Sequence, residues 1–315
     1  MAARSTSHRK KTVSADPSYR KKKPLEYLPV QRSMYIAPIS GASSTGIIDG
    51  ARLLSTSNNR LYRFGKRYNM KVDIDVNALT DSSGALEVWA LADSWAVQKA
   101  FAEAKFVFDK AYENERENLS KEARARWFDF RIASGVAGDT MFATRKDDPN
   151  DATATLLTGG EFESSIVVDQ AGVTRSFTWA RTATASQYSL PTEYDLSGNT
   201  NPSPTTATGS GPYADLQADS SAVEMQALQD RGNEPPYEKN SFPQVWVKIA
   251  TLATSSGLTA NGAQKLSTGF FDAPCGLVVL RSIAAGSMAD LTTAIKCEFK
   301  SGDYKGVRAH NMERM

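Results

Sequence analysis

From Tyr68 to Val76 apolar and polar residues alternate without a break: Tyr68, Met70, Val72, Ile74 and Val76 are separated by Asn69, Lys71, Asp73 and Asp75. Period two is the geometry of a strand with one buried face, because successive side chains leave the backbone on opposite sides. Such a strand needs neighbours to pair with and a second layer to cover its apolar face. The stretch 86–91 follows across a polar turn at 80–84 and reads as its first neighbour. Strand patterns return at 139–144, 165–169, 173–182, 244–254, 264–271, 276–283 and 291–300. The segments 165–169 and 173–182 predict a hairpin across Gln170-Ala171-Gly172, the second arm alternating through Val173, Arg175, Phe177 and Trp179. The pattern predicts about eight short strands, mainly β, in an antiparallel sandwich or barrel. Helices do not alternate with them, which argues against a doubly wound sheet.

The period changes over 94–131. Ala96, Val97, Ala100, Phe101, Ala104, Phe108, Ala111 and Tyr112 recur every three or four residues, as on one face of a helix. Asp93 or Ser94 is placed to cap it. A second helical stretch over 120–130 carries Ala123, Trp127 and Phe130 on one side, with Glu115, Glu117, Glu122, Arg124 and Arg126 as solvated face or connection. The helical insertion therefore falls between early strands. The stretch 196–215 is Ser/Thr/Gly/Pro-rich and nearly uncharged, a long surface loop. A short helix is expected over 220–230, ending at Gly232 before Pro235-Pro236. With Pro24, Pro29, Pro38 and a Gly/Ser stretch at 40–46, residues 34–59 read as an extended linker, and the folded body as 60–315.

Charge divides the chain unevenly. Residues 1–32 hold nine Lys/Arg against Asp16 and Glu26, a net of +7, while the whole chain is +2, leaving −5 for the rest. The basic residues are Arg4, Arg9, Lys10, Lys11, Arg20, Lys21, Lys22, Lys23 and Arg32. A segment so charged and so poor in apolar residues cannot offset its ordering entropy, so 1–33 is expected to be a disordered arm that binds polyanions. Outside it the basic residues gather at Arg60, Arg63, Lys66, Arg67 and Lys71, candidates to extend the same surface or only the polar edge of a strand. Tyr19 and Tyr27 flank the second basic cluster and are the better candidates for stacking on bases. The five tryptophans, Trp89, Trp95, Trp127, Trp179 and Trp246, sit in regular elements and read as core or subunit packing, with stacking on unpaired bases the alternative. HRKK and YRKKK also have the composition of nuclear-import signals.

Composition narrows the classes. Hydrophobic content of 41% and charged content of 23% are those of an ordinary globular protein. No apolar run reaches the ~20 residues of a membrane helix, and no apolar stretch follows the N-terminal charges as in a secretory signal. Two cysteines, Cys275 and Cys297, exclude a disulfide scaffold and match no zinc spacing; they read as buried thiols inside strands, in a reducing compartment. The two histidines, His8 and His310, lie near the ends, where a rigid scaffold is not expected to hold a catalytic or metal-binding imidazole. There is no P-loop, and Gly209-Ser210-Gly211 lacks the third glycine of a dinucleotide fold. Asp73, Asp75, Glu161 and Glu163 read as solvated strand faces, and Asp147-Asp148-Pro149-Asn150-Asp151 as a polar turn without the glycine and terminal Glu of an EF-hand. The expectation is a protein without enzymatic activity, metal or cofactor.

Three short stretches carry a resemblance: HRKK and YRKKK in the arm, RLYRFGKRYNMKVDIDV at 60–76, and GDYKGVRA at 302–309. Together with the architecture they resemble the capsid proteins of small circular Rep-encoding single-stranded DNA viruses. The resemblance implies a single jelly roll, self-assembly into an icosahedral shell, arms turned inward onto genomic single-stranded DNA, a virion location with passage through the host nucleus, and an outer surface open to a host receptor. Binding by the arm would be electrostatic and blind to sequence. Two other readings fit parts of the chain: a non-assembling single-strand-binding protein, and a β-sandwich carbohydrate-binding or hydrolase module.

Overall fold

Tyr68, Met70, Val72 and Ile74 are buried in the centre of the molecule, as their spacing predicts. The computed structural model describes residues 29–36, 45–75, 85–116, 129–147, 154–169, 172–197, 242–253, 265–283 and 295–312. The chain begins with strands β1 (Ser33–Ile36) and β2 (Thr45–Asp49), helix α1 (Gly50–Asn58), then β3 (Lys66–Asp75), β4 (Ala85–Leu91) and helix α2 (Trp95–Arg116). A long excursion follows, with β5 (Asp139–Thr140), β6 (Thr144–Arg145), β7 (Thr155–Leu156), β8 (Ile166–Val168), β9 (Thr174–Thr178), β10 (Gln187–Ser189) and helix α3 (Leu190–Ser197). The last part holds β11 (Trp246–Ala253), β12 (Lys265–Ser267), β13 (Phe271–Pro274), β14 (Leu277–Ile283), β15 (Ile295–Phe299), β16 (Ser301–Gly302), β17 (Gly306–Val307) and β18 (Ala309–Asn311).

The fold is mainly β, with two large sheets packed on one core. The first runs β1-β15-β3-β12, with β13 and β18 also paired to β3; the second runs β11-β4-β14-β2-β5. Met34, Ile36, Tyr68, Met70, Val72, Cys297 and Phe299 of the first face Ile48, Leu86, Val88, Val278 and Leu280 of the second in one apolar cluster. Each large side chain buried there contributes about 1.5–3 kcal/mol before the entropy of ordering is set against it. The pairing nests: β1 with β15, β2 with β14, β3 with β13 and β4 with β11, all antiparallel.

Helix α2 leaves the second sheet after β4 and heads a second cluster. Val97, Ala100 and Phe101 pack with Phe130, Phe177, Trp179, Leu190 and Phe242. Phe130 is the hub, 5.6 Å from Phe101 and 5.1 Å from Phe177 between ring centroids. The expected hairpin is present, with Ile166 opposite Ser176, and the Gly172 N–H donates to the Asp169 carbonyl across its turn. Ser94 receives the Val97 N–H at the start of α2, so Ser94 supplies the cap.

Several expectations need correction. Residues 34–59 are not a linker: β1, β2 and α1 lie there, and Met34, Ile36, Ile48, Leu53 and Leu54 are core. The body therefore starts near residue 33. Helix α1 is capped by the Asp49 carboxylate, which accepts the Arg52 N–H at 2.9 Å, and it stops at Asn59, whose φ of 47° is left-handed. Asp129 and Phe130 are not helical. The single strand expected at 264–271 is divided by a turn at Gly269, whose φ is 69°. Cys297 lies in β15 as expected, whereas Cys275 sits in the turn between β13 and β14 with φ 57°. Trp95 is 56% exposed on the single chain and so lies outside the core. The first two residues of the loop expected over 196–215 close α3 instead; residues 1–28, 117–128 and 198–241 lie outside the described residues, and with them most of the arm, the rest of the second helical stretch, the rest of that loop and the 220–230 helix.

Candidate nucleic-acid interface

Arg4, Arg9, Lys10, Lys11, Arg20, Lys21, Lys22 and Lys23 lie outside the described residues; Arg32, Arg60, Arg63, Lys66 and Arg67 lie within them. The end of the arm is pinned where it meets the body. The Gln31 N–H donates to Asn58 Oδ1 at 2.9 Å, and Asn58 Nδ2 donates back to the Gln31 carbonyl at 3.1 Å. Next in chain, Arg32 Nε donates to the Gly306 carbonyl at 2.8 Å. These bonds set the arm's root against two turns, 60–65 after α1 and 303–306 between β16 and β17.

The two turns interlock. Tyr62 donates its hydroxyl to the Lys305 carbonyl at 2.9 Å, the Arg63 N–H donates to the Tyr304 hydroxyl at 3.1 Å, and Lys305 Nζ donates to the Leu61 carbonyl. Tyr68 adds a bond from its hydroxyl to the Arg63 carbonyl at 2.6 Å. The Tyr62 and Tyr304 rings meet edge to face at 6.0 Å. Lys66 Nζ stands 3.9 Å from the centre of the Tyr304 ring, and Lys305 Nζ 5.5 Å from it.

Arg32, Arg60, Arg63, Lys66 and Lys305 thus collect around two tyrosines. Arg60 and Arg32 both act electrostatically on Tyr62. Burial holds the Lys305 ammonium below its ordinary pKa, and Arg60 and Arg63 push it further down. The acid that acts on Lys305 is Asp129, whose carboxylate lies 3.8 Å from the Arg63 guanidinium and is itself only 8% exposed. Burial drives Asp129 up to about 6 against the Phe64 N–H that donates to it at 2.8 Å. Arg131, on the far side of Asp129, is 3.7 Å away and also binds Asp49.

Arg67 and Lys71 do not join this group. Arg67 pairs with Asp93 at 2.7 Å, and Lys71 lies between Asp73 at 3.4 Å and Glu298 at 3.2 Å. Asp73 points away from the core as expected but is only 1% exposed. Burial opposes its charge, yet the Ser267 hydroxyl at 2.6 Å and Lys265 at 2.9 Å outweigh that and hold it below the usual carboxylate range. It is a buried ion cluster, not a solvated face.

Glu161 and Glu163 are exposed. Among the described residues no cluster of His, Cys, Asp or Glu has the makings of a metal site, and no helix is long and apolar enough to cross a membrane. Lys305 and Tyr304 escaped the reading of charge clusters, because they stand alone in sequence; the turn-forming run Asp303-Tyr304-Lys305-Gly306 was the available signal. No protein-family model matches the chain, and comparison with curated proteins and with solved structures finds no significant match.

Proposed function

We propose that the chain is the structural subunit of a small viral capsid, a single jelly roll that self-assembles into an icosahedral shell and packages single-stranded DNA through its basic arm. The observation that carries this reading is the nested pairing of eight core strands. Counted along the chain, the first pairs with the last, the second with the seventh, the third with the sixth and the fourth with the fifth. A long antiparallel ribbon of four strand pairs, rolled so that alternate pairs fall in opposite sheets, gives that order and the double Greek key of a jelly roll.

Two further features support it. The net +7 of residues 1–32 against −5 elsewhere supplies a tether for bulk polyanion on a body whose net charge is of the opposite sign. Apolar side chains stand in water on the free subunit, including Trp95, Phe106 and Val107 on or beside α2's outer side and Ile166 and Val168 on one face of β8. Such exposure is relieved when subunits pack. No enzymatic step is part of this reading. The nucleus is where a single-stranded DNA genome and a subunit bearing HRKK and YRKKK would meet.

Purified protein imaged by negative stain across a range of concentration and salt is expected to give closed particles of uniform diameter. A monomer under every condition sinks the proposal and favours a non-assembling binding protein; glycan binding or hydrolysis by that monomer favours the carbohydrate-active sandwich.

A further inference from the structure

We infer that Arg32, Arg60, Arg63, Lys66 and Lys305 form a seat for the phosphate backbone of a single-stranded nucleic acid, built into the body at the root of the arm. The inference rests on the reading of the arm as a nucleic-acid tether, but it assigns to the folded body a site of its own.

Cations brought together repel one another, and here Arg60 and Arg63 lower the pKa of Lys305 beyond what burial does. The arrangement is nevertheless held in place by main-chain bonds: Tyr62 on Lys305, Arg63 on Tyr304, Lys305 on Leu61 and Arg32 on Gly306. A ligand of opposite charge relieves such repulsion without having to order its partners first. Asp129 offsets that repulsion only in part: one carboxylate, 8% exposed, is shared between Arg63, Arg131 and the field at Lys305.

Chemistry and position identify the ligand. Tyr62 is fully buried, and the Tyr304 ring is approached by two ammonium groups, so the site offers charge and little open ring for a base to stack on. It suits phosphate in a backbone and reads no sequence. Gln31 is fixed to Asn58, the residue next but one before Arg60, so a strand held by residues 1–28 arrives at this seat. The disposition favours a continuous polyanion over an isolated phosphate ion.

Full-length protein and fluorescein-labelled dT15 test this. The R60Q/K305Q variant is expected to bind with a log–log salt slope shallower by about 1.4, at roughly 0.7 per lost contact on a single strand. In wild-type protein, dT15 is expected to slow acetylation of Lys66 and Lys305 several-fold while leaving Lys248, on the second sheet, unchanged. Equal acetylation rates with and without dT15 overturn the seat whether or not the variant folds. An unchanged slope in a folded variant does the same. Inorganic phosphate at millimolar concentration should not protect the two lysines; if it protects as well as dT15, the site is an anion site and not a backbone seat. If poly-glutamate of equal charge competes as well as dT15, the partner is an acidic protein segment, and the assignment falls. A variant with Lys10, Lys11, Lys21 and Lys22 changed to Ser separates the two ideas: undiminished binding by that variant, as a monomer, removes the arm-and-shell reading while leaving the seat.

Discussion

The Arg131 guanidinium binds the Asp49 carboxylate across 82 residues of chain, tying the excursion between the two halves of the sandwich to the cap of α1. Both side chains are nearly out of water, at 5% and 12% exposure. Arg131 also donates from Nε to the Phe162 carbonyl at 3.2 Å and lies over the rings of Phe64 and Phe162 at 4.9 and 5.1 Å. Burial lowers its pKa to about 10, so the side chain stays charged at physiological pH. One ion pair thus joins α1, the turn before β3 and the start of the second core.

Removing one member of a buried pair leaves the other charged and unmatched, which costs about 3–5 kcal/mol. R131M is therefore expected to lower the urea midpoint by that amount of stability, with D49N costing somewhat less because Asn still caps α1. In the double variant neither member of the pair is stranded and Asp129 keeps Arg63 at 3.8 Å, so the two losses should fall well short of additive. Additive losses in the double-mutant cycle would show that the pair is not coupled.

Asp129 gives the protein a pH response. Its folded pKa of about 6 lies above the unfolded value of about 3.9, so folding favours the protonated form. The penalty on the ionised form is present in full above pH 6, shrinks as pH falls through that value, and is gone below pH 4. Stability should therefore rise by about 1.4 kcal/mol between pH 7.5 and 5 on account of this group. Glu193 and Asp195, also raised by burial, act in the same direction. D129N keeps an acceptor for the Phe64 N–H, and the difference between its denaturation profile and that of the wild type isolates Asp129. Parallel profiles across this window would contradict the assignment.

Strand β3 is readable because the unbroken alternation from Tyr68 leaves one face apolar, and α2 because its apolar face repeats over several turns. β1 is not. It has four residues, of which Met34 and Ile36 point inward, and two apolar positions set no period. Pro38 and the glycines around it then suggest a linker, although β1, β2 and α1 occupy the described residues on either side. The Arg131–Asp49 pair and the seat at the arm's root depend on residues brought together by the fold. Lys305 lies 243 residues from Tyr62, whose hydroxyl fixes its main chain, and local sequence carries no trace of such a contact. What is legible of the site is the part that belongs to the two basic stretches, Arg32 at the end of the arm and Arg60, Arg63 and Lys66 after α1; Lys305 is not.

Charge on the arm sets the salt dependence of packaging. About eight contacts with a single strand give a log–log slope near −6, so affinity for dT30 should fall by three to four orders of magnitude between 50 and 200 mM salt. Deleting residues 1–23 removes eight of the nine basic residues before β1 and leaves every core strand in place. Particles of that variant are expected to form but to show the ultraviolet absorbance ratio of protein alone. Nucleic acid retained at the wild-type level would assign packaging to the body.

The clamp between Gln31 and Asn58 decides where the arm ends mechanically. Asn58 makes three bonds: its Oδ1 accepts the Gln31 N–H, and its Nδ2 donates to the carbonyls of Gln31 and Leu54. The first two hold the chain just before Arg32, which is itself bonded through Nε to Gly306. A protease must draw an extended segment of several residues into its cleft, and the anchored stretch around Arg32 resists that as long as the clamp is closed. Trypsin should therefore cut wild-type protein up to Lys23 and leave the bond after Arg32 largely intact. N58A exposes no new core surface and, at about 1–2 kcal/mol for the three lost bonds, two of them exposed, should leave the melting temperature within several degrees. It should nonetheless speed cleavage after Arg32 at least several-fold, read by mass spectrometry of the N-terminus that remains. Unchanged cleavage would mean that the β1–β15 pairing alone anchors the root, and that the phosphate seat begins at Arg60 and not at the arm.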